Sequence, residues 1–425
     1  MINLTISAIA SNQGKTILTT ALLYYFKDSV RPFKIGPDFI DPQFHKMICG
    51  VDSINLDSFM TNQKQLQWIY NHYSNKEVSI LEGVMGFYDG EDRGCSTYGV
   101  SKLLNIPTLL ILNGAGSYIT LSAILKGLLE YKQDNTIKGV ILNNLSSNMH
   151  YQLIKKQIEH DHKNITVAGW IKKNLPSLTN THLGLDLDNL SKIEQISREV
   201  LENIDMEMVL KIGSTTKPKK ILNYPFPEIE KIDKRLAIVN DINFSFLYYD
   251  NLQFLKEIFK EVIVIDSTKD EIVPKNCDIV YICGGYVETP KAYLKIKNSY
   301  RFKNSLIQHA KTKYIYAECA GLLYLSNRVD RRVMSGILDI EFTLNNHFTR
   351  LGYYYNQNGV KGHAFHYTKP TNNTLKKGFD ILTKSPNGKG ENGSWQTHNG
   401  KIFGTYLHIM FRAYYKSALS DMILY

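Results

Sequence analysis

Leu4-Thr5-Ile6-Ser7-Ala8-Ile9-Ala10-Ser11-Asn12-Gln13-Gly14-Lys15-Thr16-Ile17-Leu18 decides how the chain reads. An apolar run suited to a buried strand meets a small polar turn, then Gly-Lys-Thr, then a helix-compatible run from Ile17. That order cradles phosphates: backbone N–H groups and the positive helix end face the anion, Lys15 reaches the outer phosphates, and the Thr16 hydroxyl can ligate Mg²⁺. The usual pattern carries Gly five residues before the Gly-Lys pair, where this chain has Ile9, with Ala8 one place earlier. The plainer reading is an ordinary strand-to-helix turn with a surface lysine. Gly-Lys-Thr at a strand–helix junction favours phosphate binding over it.

Working outward, 425 residues exceed one typical core and predict two domains or three. Hydrophobic content of 43% and charged content of 21% are those of a soluble globular chain, and no apolar run reaches the ~20 residues of a membrane span. Met1-Ile2-Asn3 leads straight into the first strand without a charged leader, which argues against a secretory signal. Five scattered cysteines without C-x-x-C spacing argue against a zinc site or a disulfide framework and predict a reducing cytoplasm. The net charge of +10 would suit an anionic partner, but the basic residues are dispersed and no nucleic-acid-binding signature is present, so the expectation is no nucleic acid and no membrane.

Arg31 to Gly36 reads as a second buried strand that delivers Pro37-Asp38-Phe39-Ile40-Asp41-Pro42 to the phosphate site. Hard carboxylate ligands there suit Mg²⁺ or substrate orientation; a rigid Pro-Asp turn without chemistry is the alternative. Val78 to Gly83 is a third strand with Glu82 at its end, placed to reach a metal, and Asp89 follows in a turn-rich loop. Pro107–Leu112, Gly139–Asn144 and Thr166–Trp170 are further strands, with a helix over Leu121 to Tyr131. Strands alternating with helices predict a parallel doubly wound sheet.

Texture changes from Ile212 to Arg235, where Thr216-Lys217-Pro218-Lys219-Lys220 has no clear period, so domains are expected at 1–211 and 235–425 with a linker at 212–234. A second α/β pattern follows, with strands at Leu236–Val239, Val262–Ile265 and Asp278–Ile282 and a helix at Leu252–Phe259. Tyr314-Ile315-Tyr316-Ala317-Glu318-Cys319-Ala320-Gly321-Leu322-Leu323 predicts a strand turning sharply into a helix, an elbow that exposes Cys319 and lowers its thiol pKa. A lone cysteine is more often a buried structural residue. Cys283-Gly284-Gly285 could add oxyanion-binding N–H groups. His363, His366 and His408 are the candidate bases, with His408 favoured because it ends a strand-like run.

These parts resemble a known pair. The N-terminal half is similar to the dethiobiotin-synthetase-like P-loop ligases, the C-terminal half to class I glutamine amidotransferases of the cobyrinate/cobyrate type, and together they resemble the cobyrinic acid a,c-diamide synthase family. The likeness is carried by Lys34-Ile35-Gly36-Pro37-Asp38-Phe39-Ile40-Asp41-Pro42-Gln43-Phe44-His45, Asn55-Leu56-Asp57, Leu81 to Gly90, His182-Leu183-Gly184-Leu185, Gly284-Gly285-Tyr286, Tyr316 to Leu322, Gly362 to Tyr367 and Tyr406-Leu407-His408.

The resemblance implies an α/β chain with two doubly wound domains: a P-loop NTPase-like parallel sheet, then a class I glutamine amidotransferase-like, flavodoxin-like sheet. It implies that Cys319, activated by His408, releases ammonia from glutamine, and that a substrate carboxylate, activated as an acyl phosphate by ATP and Mg²⁺, takes up that ammonia. Gly14, Lys15 and Thr16 would hold the phosphates and Lys34 the γ-phosphate. Thr16, Glu82 and Asp41 would hold the metal, Asp38 and Asp89 would lie near the reacting carboxylate, and Asn143 would read the adenine. The implied substrate is a polycarboxylate corrinoid amidated at its a and c acetates, and the assembly allows for a homodimer. Nickel-sirohydrochlorin or hydrogenobyrinate as substrate, or a P-loop ATPase binding module with a degenerate amidotransferase domain, are the alternatives. The chain departs from the family pattern at Asn12, Asn113, Cys283 and Ala364, where the family has Gly, Asp, Gly and Glu.

Overall fold

The computed structural model describes residues 1–175, 180–181, 184–185, 190–218, 221, 223–373, 375–377, 381–386, 388–397 and 399–418. The chain divides into two compact units, Met1–Pro225 and Phe226–Tyr425. His182 and Leu183 of the family-like run lie outside the described residues.

The first unit is built on seven strands: β1 (Ile2–Ala8), β2 (Val30–Ile35), β3 (Ile54–Leu56), β4 (Val78–Glu82), β5 (Thr108–Asn113), β6 (Ile137–Leu145) and β7 (Thr166–Lys172). They lie in the order β3-β2-β4-β1-β5-β6-β7, and every pairing is parallel. A parallel sheet covered on both faces needs near-continuous apolar strands, and β1, β2 and β4 are buried almost throughout. The crossover helices α1 (Lys15–Tyr25) and α2 (Ile40–Cys49) follow β1 and β2. Leu18, Ala21 and Leu22 of α1 pack with Leu4, Ile6 and Ile111 in one apolar cluster. Each fully buried Leu or Ile there contributes roughly 1.5–3 kcal/mol. The three-residue β3 has no counterpart in the sequence reading, being too short to show a period.

The second unit is built around strands Ile232–Val239, Phe259–Ile265, Ile279–Ile282, Tyr314–Glu318 and Ile402–Thr405. Numbered by appearance their spatial order is 2-1-3-4-5, all parallel, which is the flavodoxin-like arrangement. Ser394–Gln396 and Lys376–Lys377 extend this sheet antiparallel to it. A four-stranded and a five-stranded sheet also stand between Arg328 and Ile409, a largely antiparallel region absent from the sequence reading. Its strands run as short as two residues, below the length at which alternation becomes readable. The pairing of Gly362 with Ile409 and His363 with His408 fixes where His408 stands. Ala364 and Cys283, two of the departures from the family pattern, are fully buried in the apolar core.

Candidate functional site

In the first unit the phosphate loop is shaped by two left-handed residues, Asn12 (φ 59°) and Gly14 (φ 99°). Asn is among the few side chains that enter this region readily, which explains how Asn12 occupies a family Gly position. Gly14 is required twice over, because a Cβ there would also lie 2.5 Å from Asn143 Nδ2. α1 begins with no side-chain cap and no acidic residue in its first turn, so its leading N–H groups face an anion uncontested. Asn143, expected at the adenine, turns its Nδ2 onto the Gln13 carbonyl at 2.8 Å and thereby braces the loop. Asn113 accepts from the Ala115 N–H at 3.1 Å, an ordinary turn contact.

Lys15 donates to the backbone carbonyls of Ala10 (2.9 Å) and Met85. Burial and the neighbouring Lys34 bring its pKa down to about 8. Behind it Glu82, buried at the end of β4, accepts from Thr16 Oγ1 at 3.0 Å and Lys34 Nζ at 3.2 Å, and its second oxygen lies 2.8 Å from His45 Nε2. Burial alone would push the Glu82 carboxyl up, but Lys34 and His45 hold it well below the usual range. Lys34 also pairs with Asp41, and with Asp38 at 3.7 Å. Although burial opposes its charge, these carboxylates raise the Lys34 ammonium above its ordinary value.

Burial pushes the Asp41 carboxyl up despite the neighbouring Lys34, and Glu82 and Asp38 add to the rise, so a divalent cation or a further ammonium would favour its charged form. Asp41 contacts Lys34 directly. Asp38 accepts from the Ile40 N–H at 2.8 Å and Asp89 from the Gly86 N–H at 2.7 Å, so each is oriented by its own loop. Among the described residues no group of three or more His, Cys, Asp or Glu forms a metal cage. A Mg²⁺ that keeps waters and nucleotide oxygens needs no such cage, and the adjacent Thr16 hydroxyl and Glu82 carboxylate fit that role. His45 had no role in the sequence reading. Its signal was the i,i+4 spacing from Asp41, which puts both on one helix face.

In the second unit Cys319 stands at φ 45°, ψ −104° between the strand Tyr314–Glu318 and the helix Ala320–Leu325, the strained elbow expected from the sequence. The thiol is buried rather than exposed, and its pKa is raised, not lowered. Burial is the largest cause and the negative charge of Glu288 the next; backbone N–H groups of Ala320 and Gly285 pull the other way.

His408 is buried, and its Nδ1 lies 2.9 Å from Glu318 Oε2. The Tyr316 hydroxyl donates to Glu318 Oε1 at 3.0 Å. Glu318 therefore holds the imidazole by its Nδ1 and fixes the ring's orientation. A Cβ on Gly284 would come within 2.3 Å of His408 Cε1, so only glycine lets this loop close on the ring. Of the other candidate bases, His366 gives Nδ1 to the Thr368 carbonyl (3.0 Å) and stacks on Tyr406, and burial holds it neutral. Glu318 was the orienting group missed in the sequence; its signal was direct adjacency to Cys319 and the period-2 match with Tyr316.

A strained thiol with an oriented imidazole on a flavodoxin-like sheet, joined to a phosphate-loop unit, defines a glutamine amidotransferase coupled to a nucleotide-binding domain. Family comparison agrees: residues 4–185 match the CobQ/CobB/MinD/ParA nucleotide binding domain and residues 235–415 the CobB/CobQ-like glutamine amidotransferase domain. A cobyrinate a,c-diamide synthase of Fusobacterium nucleatum is 32% identical over 97% of this chain and 98% of that protein. Those of Caldanaerobacter subterraneus (33%, covering 86% of each chain) and Methanocaldococcus jannaschii (33%, covering 95% and 94%) are comparably similar. The chain belongs to the cobyrinate a,c-diamide synthase family, and as such is an ATP-using, glutamine-dependent amidating ligase.

Proposed function

We propose that the protein amidates the a and c carboxylates of cobyrinate, with residues 1–211 activating the carboxylate, 235–425 freeing ammonia from glutamine, and 212–234 connecting them. The observation that carries the reading is the coexistence in one chain of the Cys319 elbow with the His408–Glu318 pair and of the Thr16–Glu82–Lys34 cluster beside Lys15.

In the second unit Cys319 Sγ attacks the side-chain amide carbon of glutamine while His408 takes the thiol proton and returns it to the departing ammonia. The raised thiol pKa fits proton transfer concerted with attack rather than a preformed thiolate. The N–H groups of Gly285 and Ala320 support the oxyanion, and water then hydrolyses the thioester to glutamate.

In the first unit a substrate carboxylate attacks the γ-phosphate of ATP, since a carboxylate is too poor an electrophile to take ammonia directly. Lys15 and Lys34 carry positive charge to the transferring phosphoryl, and Asp38 and Asp89 border the reacting carboxylate. Mg²⁺, held by Thr16 and Glu82, would neutralise charge moving onto ADP when bound. Asn143 braces the loop from the sheet side; contact with adenine is the family expectation. Ammonia then displaces phosphate from the acyl phosphate to give the amide.

Five free, buried cysteines fit a cytoplasmic protein, and a homodimer is the assembly we expect. Among the described residues no helix is long and apolar enough to cross a membrane.

Incubation with ATP, Mg²⁺, glutamine and each of cobyrinate, hydrogenobyrinate and nickel-sirohydrochlorin tests the reading by mass spectrometry. Two carboxylate-to-amide exchanges on cobyrinate are expected. Preference for another acid would overturn the substrate, and ATP turnover without amide formation would overturn the ligase.

A further inference from the structure

The loop after the strand Ile279–Ile282 carries a carboxylate that the chemistry above leaves unused. Glu288 Oε2 is enclosed and has no hydrogen-bond partner among the described residues. The loop itself is fixed against the glutaminase centre: Gly284 abuts the His408 ring, the Phe246 N–H donates to the Gly284 carbonyl at 2.9 Å, and the Tyr286 N–H donates to the Asn243 carbonyl at 2.9 Å. Glu288 is also the charge acting most strongly on the Cys319 thiol. Arg332 is the positive charge that acts on it, yet gives its Oε2 no hydrogen bond among the described residues.

This placement is adverse for the empty site on two counts. An enclosed carboxylate oxygen without a partner is costly, and burial lifts the Glu288 pKa to about 7 against the pull of its own backbone N–H. A negative charge beside the nucleophile also disfavours the negative charge that develops as the thiol gives up its proton during attack. Both costs fall when a cation enters, and the cation available to this site is carried by the amino acid whose amide is cleaved. A primary ammonium offers three donors to such an oxygen.

We propose that Glu288 receives the α-ammonium of glutamine, so that the substrate brings the positive charge that lets Cys319 react. This rests on the glutaminase reading above and adds to it the group that distinguishes an α-amino acid from a simple amide. It also makes the thiol quiet until substrate is bound.

The test uses the full chain, wild type and Glu288→Gln, with glutamine and with glutaramate, which has the same amide and carboxylate but no α-ammonium. Wild type should favour glutamine, and the variant should lose roughly 10- to 150-fold in kcat/KM for glutamine, the range of a hydrogen bond to a charged group, mainly through KM. Glutaramate hydrolysis should be little changed, so the preference collapses. As a fold control independent of turnover, alkylation of Cys319 by 6-diazo-5-oxonorleucine should weaken in the variant while alkylation by iodoacetamide is not slowed. An unchanged glutamine KM, or equal losses for both amides, would overturn the assignment. Wild-type protein that hydrolyses neither amide would overturn the glutaminase reading, and this inference with it.

Discussion

Lys34 and Cys319 both stand near the carboxyl end of a buried parallel strand, and both carry a reactive polar group out of water. Their surroundings are opposite. Lys34 lies among Asp38, Asp41 and Glu82, which keep it charged, and through Glu82 it connects to Thr16 and His45. Cys319 is kept uncharged first by its burial and then by the negative charges of Glu288 and Glu318. The difference follows from the two reactions. Phosphoryl transfer needs permanent charge in place before the anion arrives, because the protein does little covalent chemistry there. Thioester formation needs a nucleophile whose charge appears only during attack, with an oriented base to take the proton.

The largest expected effect separates the two sites outright. Cys319→Ser should lower glutamine-dependent amidation by roughly 10³-fold or more while leaving amidation from added ammonia intact, since it removes the nucleophile and nothing in the first unit. Failure of ammonia to rescue would end the division of labour between the units. Glu318→Gln tests whether the neighbour of the nucleophile orients His408. By analogy with loss of a triad carboxylate, kcat for glutaminase should fall by about 10³- to 10⁴-fold with ammonia-dependent amidation again unchanged; a fall below tenfold would leave Glu318 a packing residue.

Lys34→Ala strands the buried carboxylate Glu82 and the half-buried Asp41, so thermal denaturation of the first unit should reveal a loss of about 3–5 kcal/mol. The equivalent loss is not expected for Cys319→Ser, and equal destabilisation by both would erase the contrast. The smallest effect concerns pH. With the Lys15 pKa lowered to about 8, the free protein carries the positive charge below that pH and loses it above. The ratio kcat/KM for ATP should therefore decline as pH rises through about 8, approaching tenfold per unit at the steep limit. A profile flat to pH 10 would show that Lys15 is not the titrating phosphate ligand.

Much of this was legible from residues alone where local rules suffice. Gly-Lys-Thr after an apolar strand announced the phosphate loop, Asn12 could be expected in the left-handed region, and Glu-Cys-Ala-Gly marked the elbow at Cys319. Less legible were features that depend on enclosure. The elbow suggests an activated, exposed thiol, but the chain packed over it buries Sγ, and desolvation outweighs the helix-end N–H groups. Asn143 was readable as a polar group ending a strand, yet only the parallel sheet sets its amide on the Gln13 carbonyl.

By itself the sequence determined the two α/β units, the phosphate loop and the strand-to-helix elbow at Cys319, because period, turn chemistry and motif spacing are short-range properties. Tertiary structure alone decided that Asp41 contacts Lys34, that His45 meets Glu82, that Glu318 meets His408 from 90 positions away, and that Glu288, its Oε2 without a hydrogen-bond partner among the described residues, acts on the Cys319 thiol. Those are pairings between distant strands and loops, and the electrostatics that follow depend on how far each group is removed from water.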